Sequence, residues 1–522
     1  MKKKLLNLIK IAGFLMVLGL CVFGAMVIVR RNDSDYKYKP FFEQAKEGNI
    51  DVLFMGSSHV INGLDPVTLY KDYGYTAYNM GGHGSVMQAT YWELIEALDY
   101  CTPKWVVVDA YMLEKNYQYL DEMDEKASES DKKASIEQLH LNFDSWPLNK
   151  LKIAAVGDLI RDKDVQKEFL FDFSVYHSRW NELTKDDYDS LLGKENVTSR
   201  FGSEMRKEVE MSPTLFPDPA EGQELAEHTV GAEYLMKIID ECLRRGIGVV
   251  VTYLPFCATT DDKMAANTAG TIAARYGVPY LNMLNLGIID IDSDLNDPGH
   301  LNITGAVKVT DYLGNWLMEN GDLTDHRGDA AFEKFDECVS LASRENVDFL
   351  LGQTNFYDDL EMLSLDDVSA VVYLNQGSGS FSDDEVKKLV SNISGTDKIY
   401  SVQGPYVLIK DLGDGKTIQG GSDEKVYEAG DEHSSNDGDV KIFEAGDSES
   451  LDGVATGLGN LVYQPVEQLF RFLYPKEDES INYLYDDDHI YDDIQIIIYD
   501  SKSGEILGHK YYKSNGYEYK ED

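Results

Sequence analysis

Two short stretches carry residue types that can do acyl-transfer chemistry. The first is Gly56-Ser57-Ser58-His59, which ends the apolar run Val52–Met55. The second is Asp297-Pro298-Gly299-His300. A serine hydroxyl is a poor nucleophile at neutral pH. It needs a histidine to take its proton and a carboxylate to orient that histidine. Asp297 and His300 offer such a pair, with Pro298 and Gly299 making the bend between them. The acceptor of the chemistry is then Ser57 or Ser58, and the local pattern does not choose between them. Apart from that pair, both serines read as turn residues.

Other candidates stand around this core. His59 follows the serines, and His83 sits in the glycine-rich run Asn79-Met-Gly-Gly-His-Gly84. Asp109 ends the run Trp105-Val-Val-Val-Asp109. His177 and Arg179 lie in an aromatic stretch, Phe171–Trp180, which reads as a packing segment or as a substrate wall where Arg179 holds an anionic or hydroxylated group. Asp486-Asp-Asp-His489, with Asp492 and Asp493, reads as an acidic solvated loop, and no metal is expected. The five cysteines have no metal-ligand spacing and are expected as unpaired thiols.

These residues need a frame, and the apolar runs supply it. A short apolar run stopped by glycine reads as a buried parallel strand, and α/β folds place reactive groups just beyond the carboxyl ends of such strands. Strands are expected at Val52–Met55, Ala77–Met80, Trp105–Asp109, Gly248–Pro255 and Val278–Asn282. Helices are expected between them, with Asp65 capping a helix that has Pro66 at its first position. The fold class is therefore α/β with a parallel sheet over residues 51–320, interrupted by a helical insertion at about 112–230. Residues 331–522 change character, with short β-rich segments between acidic, Gly/Ser-rich loops. They predict an α+β domain with an exposed loop at 411–440 and a hairpin turning at Ser501–Gly504.

The formal charge of −44 excludes a nucleic-acid partner, since phosphates demand a basic footprint. The acid excess is heaviest in residues 321–522, which fits solubility outside the cell. At the other end, Ile11–Val29 is 19 residues without a charge, flanked by basic residues. That length suits a single transmembrane anchor within residues 1–31, and the positive-inside rule puts the amino terminus inside. Residues 32–50 read as a polar tether.

Taken together, these blocks resemble the SGNH (GDSL-type) hydrolase superfamily, and within it the membrane-anchored extracytoplasmic branch that includes proteins of alginate acetylation and teichoic-acid D-alanylation. The resemblance covers about residues 50–320. It implies a flavodoxin-like three-layer fold with Ser58 as nucleophile, His300 as general base and then general acid, and Asp297 as its orienter. Backbone N–H groups of Ser58 and Gly84 would form an oxyanion hole. His59, His83, Asp109, His177 and Arg179 are candidates for substrate contact. The resemblance further implies an O-acyltransferase or esterase that needs no cofactor. Its substrate would be a cell-surface carbohydrate polymer, and a multi-pass membrane O-acyltransferase would supply the acyl group. One block departs from the family. Where the family has a Gly-x-Asn-Asp asparagine after the third strand, this chain has Val108-Asp109-Ala-Tyr111. An ionised Asp109 cannot donate to an oxyanion, so His83, Asn79 or a tyrosine completes the hole, or the chain is a non-catalytic assembly or binding factor.

Overall fold

The computed structural model describes residues 2–30, 35–115, 127–171, 173–176, 178–185, 187–188, 200–209, 214–375, 378–402, 405–413, 416–420, 425–429, 440–442, 454–456, 459–464, 469–476, 479–482, 493–500 and 502–520. Two compact units emerge. The first comprises Met1–Arg206, Thr214–Ile289 and Pro298–Val339; the second comprises Lys207–Pro213, Asp290–Asp297 and Ser340–Asp522. The division after Val339 falls beyond the 320–331 junction expected from composition, because the helix Glu333–Gly352 carries the chain from one unit into the other.

The first unit is built on five parallel strands: β1 (Val52–Met55), β2 (Ala77–Asn79), β3 (Trp105–Asp109), β4 (Gly248–Tyr253) and β5 (Tyr280–Asn282). Their order is β2-β1-β3-β4-β5. The winding reverses between β1 and β3, and doubly wound sheets hold ligands beyond the strand ends at such a reversal. Val52–Met55 and Val106–Val108 are fully buried, which is why they read as unbroken apolar runs rather than alternating ones. Helices Pro66–Tyr73 and Ile303–Asn320 pack together, and Met87–Tyr100 packs with Val230–Arg245. Asp65 caps its helix by accepting from the Val67 N–H, and Gly74 ends it in the left-handed conformation. Among the described residues between β3 and β4 there are helices and no strand, the two longest being Glu129–Phe143 and Val230–Arg245.

Within the stretch 32–50, expected as a polar tether, the described part is ordered against the first unit. Asp35–Glu47 is a helix, and its Tyr38, Phe41 and Ala45 are buried. The spacing of those three places them on one face, which meets the rings of Tyr78 and Trp146. Polarity on the remaining positions disguised that apolar stripe. Before it, the helix Lys2–Val29 contains Asn7–Met26, a segment long and apolar enough to cross a membrane.

The second unit contains an antiparallel sheet. In order across the sheet its strands are Val440–Ile442, Lys425–Ala429, Lys416–Gly420, Tyr406–Asp411, Ser369–Leu374, Asp493–Asp500, Glu505–Lys513 and Tyr519–Lys520. The expected loop at 411–440 is therefore corrected in part, since Lys416–Gly420 and Lys425–Ala429 pair as strands. The Asp493–Asp500/Glu505–Lys513 hairpin turns where the sequence places it, with Asp500 opposite Glu505. Asp486–Asp492 lies outside the described residues, as does the side chain of Asp493.

Candidate active site

The end of β1 turns sharply into the helix Ser58–Gly63. A Cβ on Gly56 would lie 2.6 Å from Val60 Cγ2, so only glycine permits this turn. Ser57 is the N-cap, its hydroxyl accepting from the His59 N–H. Ser58 is thus the first helical residue, where a peptide N–H has no acceptor within the helix. Two serines that look equivalent in sequence have different work: one caps, and the other presents its hydroxyl outward from the helix start.

That hydroxyl meets a histidine 242 residues away. Ser58 Oγ lies 2.9 Å from His300 Nε2. His300 opens the short strand His300–Leu301, directly after the Pro298–Gly299 bend. The bend is pinned from β4's side, because the Cys257 N–H donates to the Pro298 carbonyl at 3.0 Å. On its other side Asn302 caps the helix Ile303–Asn320 by accepting from the Gly305 N–H at 3.0 Å. Asp297 ends the strand Leu295–Asp297 on the near side of the same bend, and both it and His300 are half-buried.

His59 is buried behind this pair. Its ring stacks on Tyr111 at 3.5 Å and stands edge-on to Phe256 at 4.6 Å and His300 at 5.4 Å. Burial first, and then the neighbouring His300, hold its pKa well below the ordinary imidazole range. His59 is therefore a neutral wall for His300.

Asp109 is buried at the tip of β3. It accepts from the N–H groups of Leu254 at 2.9 Å and Tyr111 at 3.2 Å, and from the Thr252 hydroxyl at 3.4 Å. Burial raises its pKa to about 7, partly offset by those donors. Its expected role as a substrate contact gives way to that of a brace joining the tips of β3 and β4. Asn79 is likewise engaged: its amide donates to the carbonyls of Val60 at 2.7 Å and Leu64 at 2.8 Å, and its oxygen accepts from Gly81 N–H.

The glycine loop after β2 lies against the serine turn. The Met80 N–H donates to Phe54 and the Gly82 N–H to Gly56, extending the β1–β2 pairing past the strand ends. A Cβ on Gly81 would come within 2.9 Å of the Ser57 carbonyl. Beneath it, Lys37 of the helix Asp35–Glu47 is buried and donates to the Gly81 carbonyl at 2.6 Å. Desolvation lowers the Lys37 pKa, opposed by Glu93 and Glu204. Burial pushes Glu93 up to about 7, against the pull of Lys37. Gly84 has φ +58°, and a Cβ there would meet the Gln138 side chain at 2.4 Å.

The chain returns from the insertion along this loop. The Arg200–Asp65 ion pair is buried at 2.9 Å, and the Phe201 carbonyl accepts from the Asn79 N–H. His83 Nε2 lies 3.1 Å from Glu204 Oε1, and the His83 carbonyl accepts from Asn142 at 2.9 Å. His83 is thus partly exposed and hydrogen-bonded to Glu204 at the loop. Lys37, Gln138 and Glu204 were not foreseen; Lys37 alone had a signal, through the helical spacing of Tyr38, Phe41 and Ala45. Arg179 is placed elsewhere: it donates to the Val29 carbonyl at 2.7 Å and pairs with Asp187 at 3.3 Å. His177 lies outside the described residues.

What the arrangement can do is proton abstraction from a serine at the reversal point of a doubly wound sheet. Comparison with protein-family models returns no match, and comparison with curated proteins returns none either.

Proposed function

We propose that the chain is a membrane-anchored, extracytoplasmic serine O-acyltransferase or esterase of SGNH type, acting on a cell-surface carbohydrate polymer. The observation that carries this reading is the 2.9 Å approach of Ser58 Oγ to His300 Nε2 at the β1/β3 reversal. His300 takes the Ser58 proton as the hydroxyl attacks an acyl carbonyl, then returns a proton to the leaving oxygen. Asp297 orients the imidazole. The Ser58 and Gly84 N–H groups meet the oxyanion, a contribution often worth ~3–4 kcal/mol per donor. The acyl group, acetyl by preference, then passes from Ser58 to a sugar hydroxyl or to water. A multi-pass membrane O-acyltransferase is the donor that suits an anchor of this kind, with the bulk of the chain outside.

A second reading has a specific observation in its favour. Asn79 spends its amide on Val60 and Leu64, and Asp109 accepts from peptide N–H groups, so neither supplies a side-chain donor to the oxyanion. That would suit a non-catalytic factor in polymer acylation. A fluorophosphonate probe separates the two. The enzyme reading expects labelling of the full-length protein that is lost in Ser58→Ala. Folded wild-type protein that takes no label, together with unchanged polymer acylation in Ser58→Ala cells, would overturn it.

A further inference from the structure

Asn7–Met26 is 20 residues long. At 1.5 Å per residue this is about 30 Å, the thickness of a bilayer's hydrocarbon core. Val29 lies three residues further, so about 4.5 Å along the axis and at the depth of lipid headgroups. At that level the helix is joined to the protein rather than released from it. Val29 is fully buried, its carbonyl accepts from Arg179 Nη1 at 2.7 Å, and the short helix Phe173–Tyr176 packs against the same membrane helix. Asp187 holds Arg179 from the other side at 3.3 Å.

Large apolar side chains stand exposed close to this junction in the chain. Trp180, next to Arg179, is 50% exposed, and Phe171, two residues before the packed helix, is 61% exposed. In the helical stretch leading to them, Leu148 and Ile153 are 64% and 52% exposed. Scattered apolar residues on a surface are ordinary. These are different because a hydrogen bond fixes their segment to the point where a membrane helix leaves the hydrocarbon. Tryptophan favours that layer, where its ring is covered by lipid and its N–H stays hydrated.

We infer that the helical insertion docks on the lipid–water interface beside the membrane helix, with Trp180 and Phe171 as its anchors and the bilayer itself as the partner. The first unit is then seated on the membrane at two places, the spanning helix and the insertion. The inference rests on Asn7–Met26 spanning a bilayer and is independent of any chemistry at Ser58.

The test uses the full-length protein reconstituted into vesicles of phosphatidylcholine and phosphatidylglycerol, with and without acyl chains brominated near the headgroup. The emission of Trp180 is the difference between wild type and Trp180→Phe, a mild change at a half-exposed site. Docking expects that difference emission to fall by about half in brominated vesicles and to resist iodide. A Phe14→Trp change in the Trp180→Phe background reports on the span itself through chain-centre bromines. Quenching of the tryptophan at position 14 alone overturns docking and leaves the span. Quenching at neither position overturns both. Protection of Trp180 from iodide without quenching by bromine means that protein, such as a second copy, covers it, and overturns docking as well.

Discussion

The tips of β1 and β3 are neighbours in one parallel sheet and end at the same edge, yet they do opposite things. At β1, Gly56 turns the chain so tightly that Ser58 begins a helix and its hydroxyl reaches His300. At β3, Asp109 folds back on the backbone and accepts from Leu254 and Tyr111 N–H groups. Both residues are polar and both sit where α/β folds keep reactive groups. The difference is where the hydrogen-bonding capacity goes. A side chain whose lone pairs are already met by peptide N–H groups in a buried place is a brace, however chemical its type. One aimed across to a histidine from another element is available for reaction.

That contrast can be broken most severely at the histidine. His300→Gln removes the base beside Ser58, and the rate of fluorophosphonate labelling is expected to fall roughly 10³-fold or more with the melting temperature little changed. Retention of the wild-type rate would show that His300 does not activate Ser58. At β3 the reverse pattern is expected. Asp109→Ala takes this acceptor from the buried Leu254 N–H and the part-buried Tyr111 N–H, costing on the order of 2–3 kcal/mol in chemical denaturation.

Asp109→Asn sharpens the same point through pH. The folded-state pKa of Asp109 is raised to about 7 by burial, against an ordinary aspartate value near ~3.9. Between those values the folded protein holds a proton that the unfolded chain does not. The stabilising effect of that proton is complete below the unfolded value and is lost as pH rises through about 7. Relative to Asp109→Asn, the wild type should therefore lose stability between about pH 4 and 7, by at most about 1.4 kcal/mol per pH unit, and level off above that. A parallel pair of stability curves would remove the buried carboxyl from the account. The smallest effect belongs to the other serine. Ser57→Ala costs a helix cap, about 0.5–1 kcal/mol, while labelling at Ser58 persists. Loss of labelling with unchanged stability would exchange the roles of the two serines.

Much of the first unit was legible because its signals are local. Val52–Met55 and Trp105–Asp109 are apolar runs with clear stops, and each forms a strand over those residues. Asp65-Pro66 announces a helix start by cap and fixed φ, and the helix begins there. Signals failed where a local reading competed with a distant partner. Asp35–Glu47 looked polar until Tyr78 and Trp146 supplied the surface that its one apolar face covers. Lys416–Gly420 and Lys425–Ala429 looked like loop because they have few apolar residues of their own, and each is held as a strand by a neighbour on both sides. Arg179 looked like an anion ligand, and a carbonyl 150 residues earlier in the chain claimed it.

For the site, the sequence alone determined the inventory: two serines after a strand, a histidine and a carboxylate three residues apart, and glycines where a turn must be tight. Those are matters of residue type and short spacing, and a turn or a cap is decided within a few residues. Only the tertiary structure chose Ser58 over Ser57 by contact, set His59 behind His300, spent Asp109 and Asn79 on backbone groups, and brought Lys37 beneath Gly81. The reason is physical. A buried polar group takes whichever partner relieves its desolvation, and that partner is found in space and not along the chain.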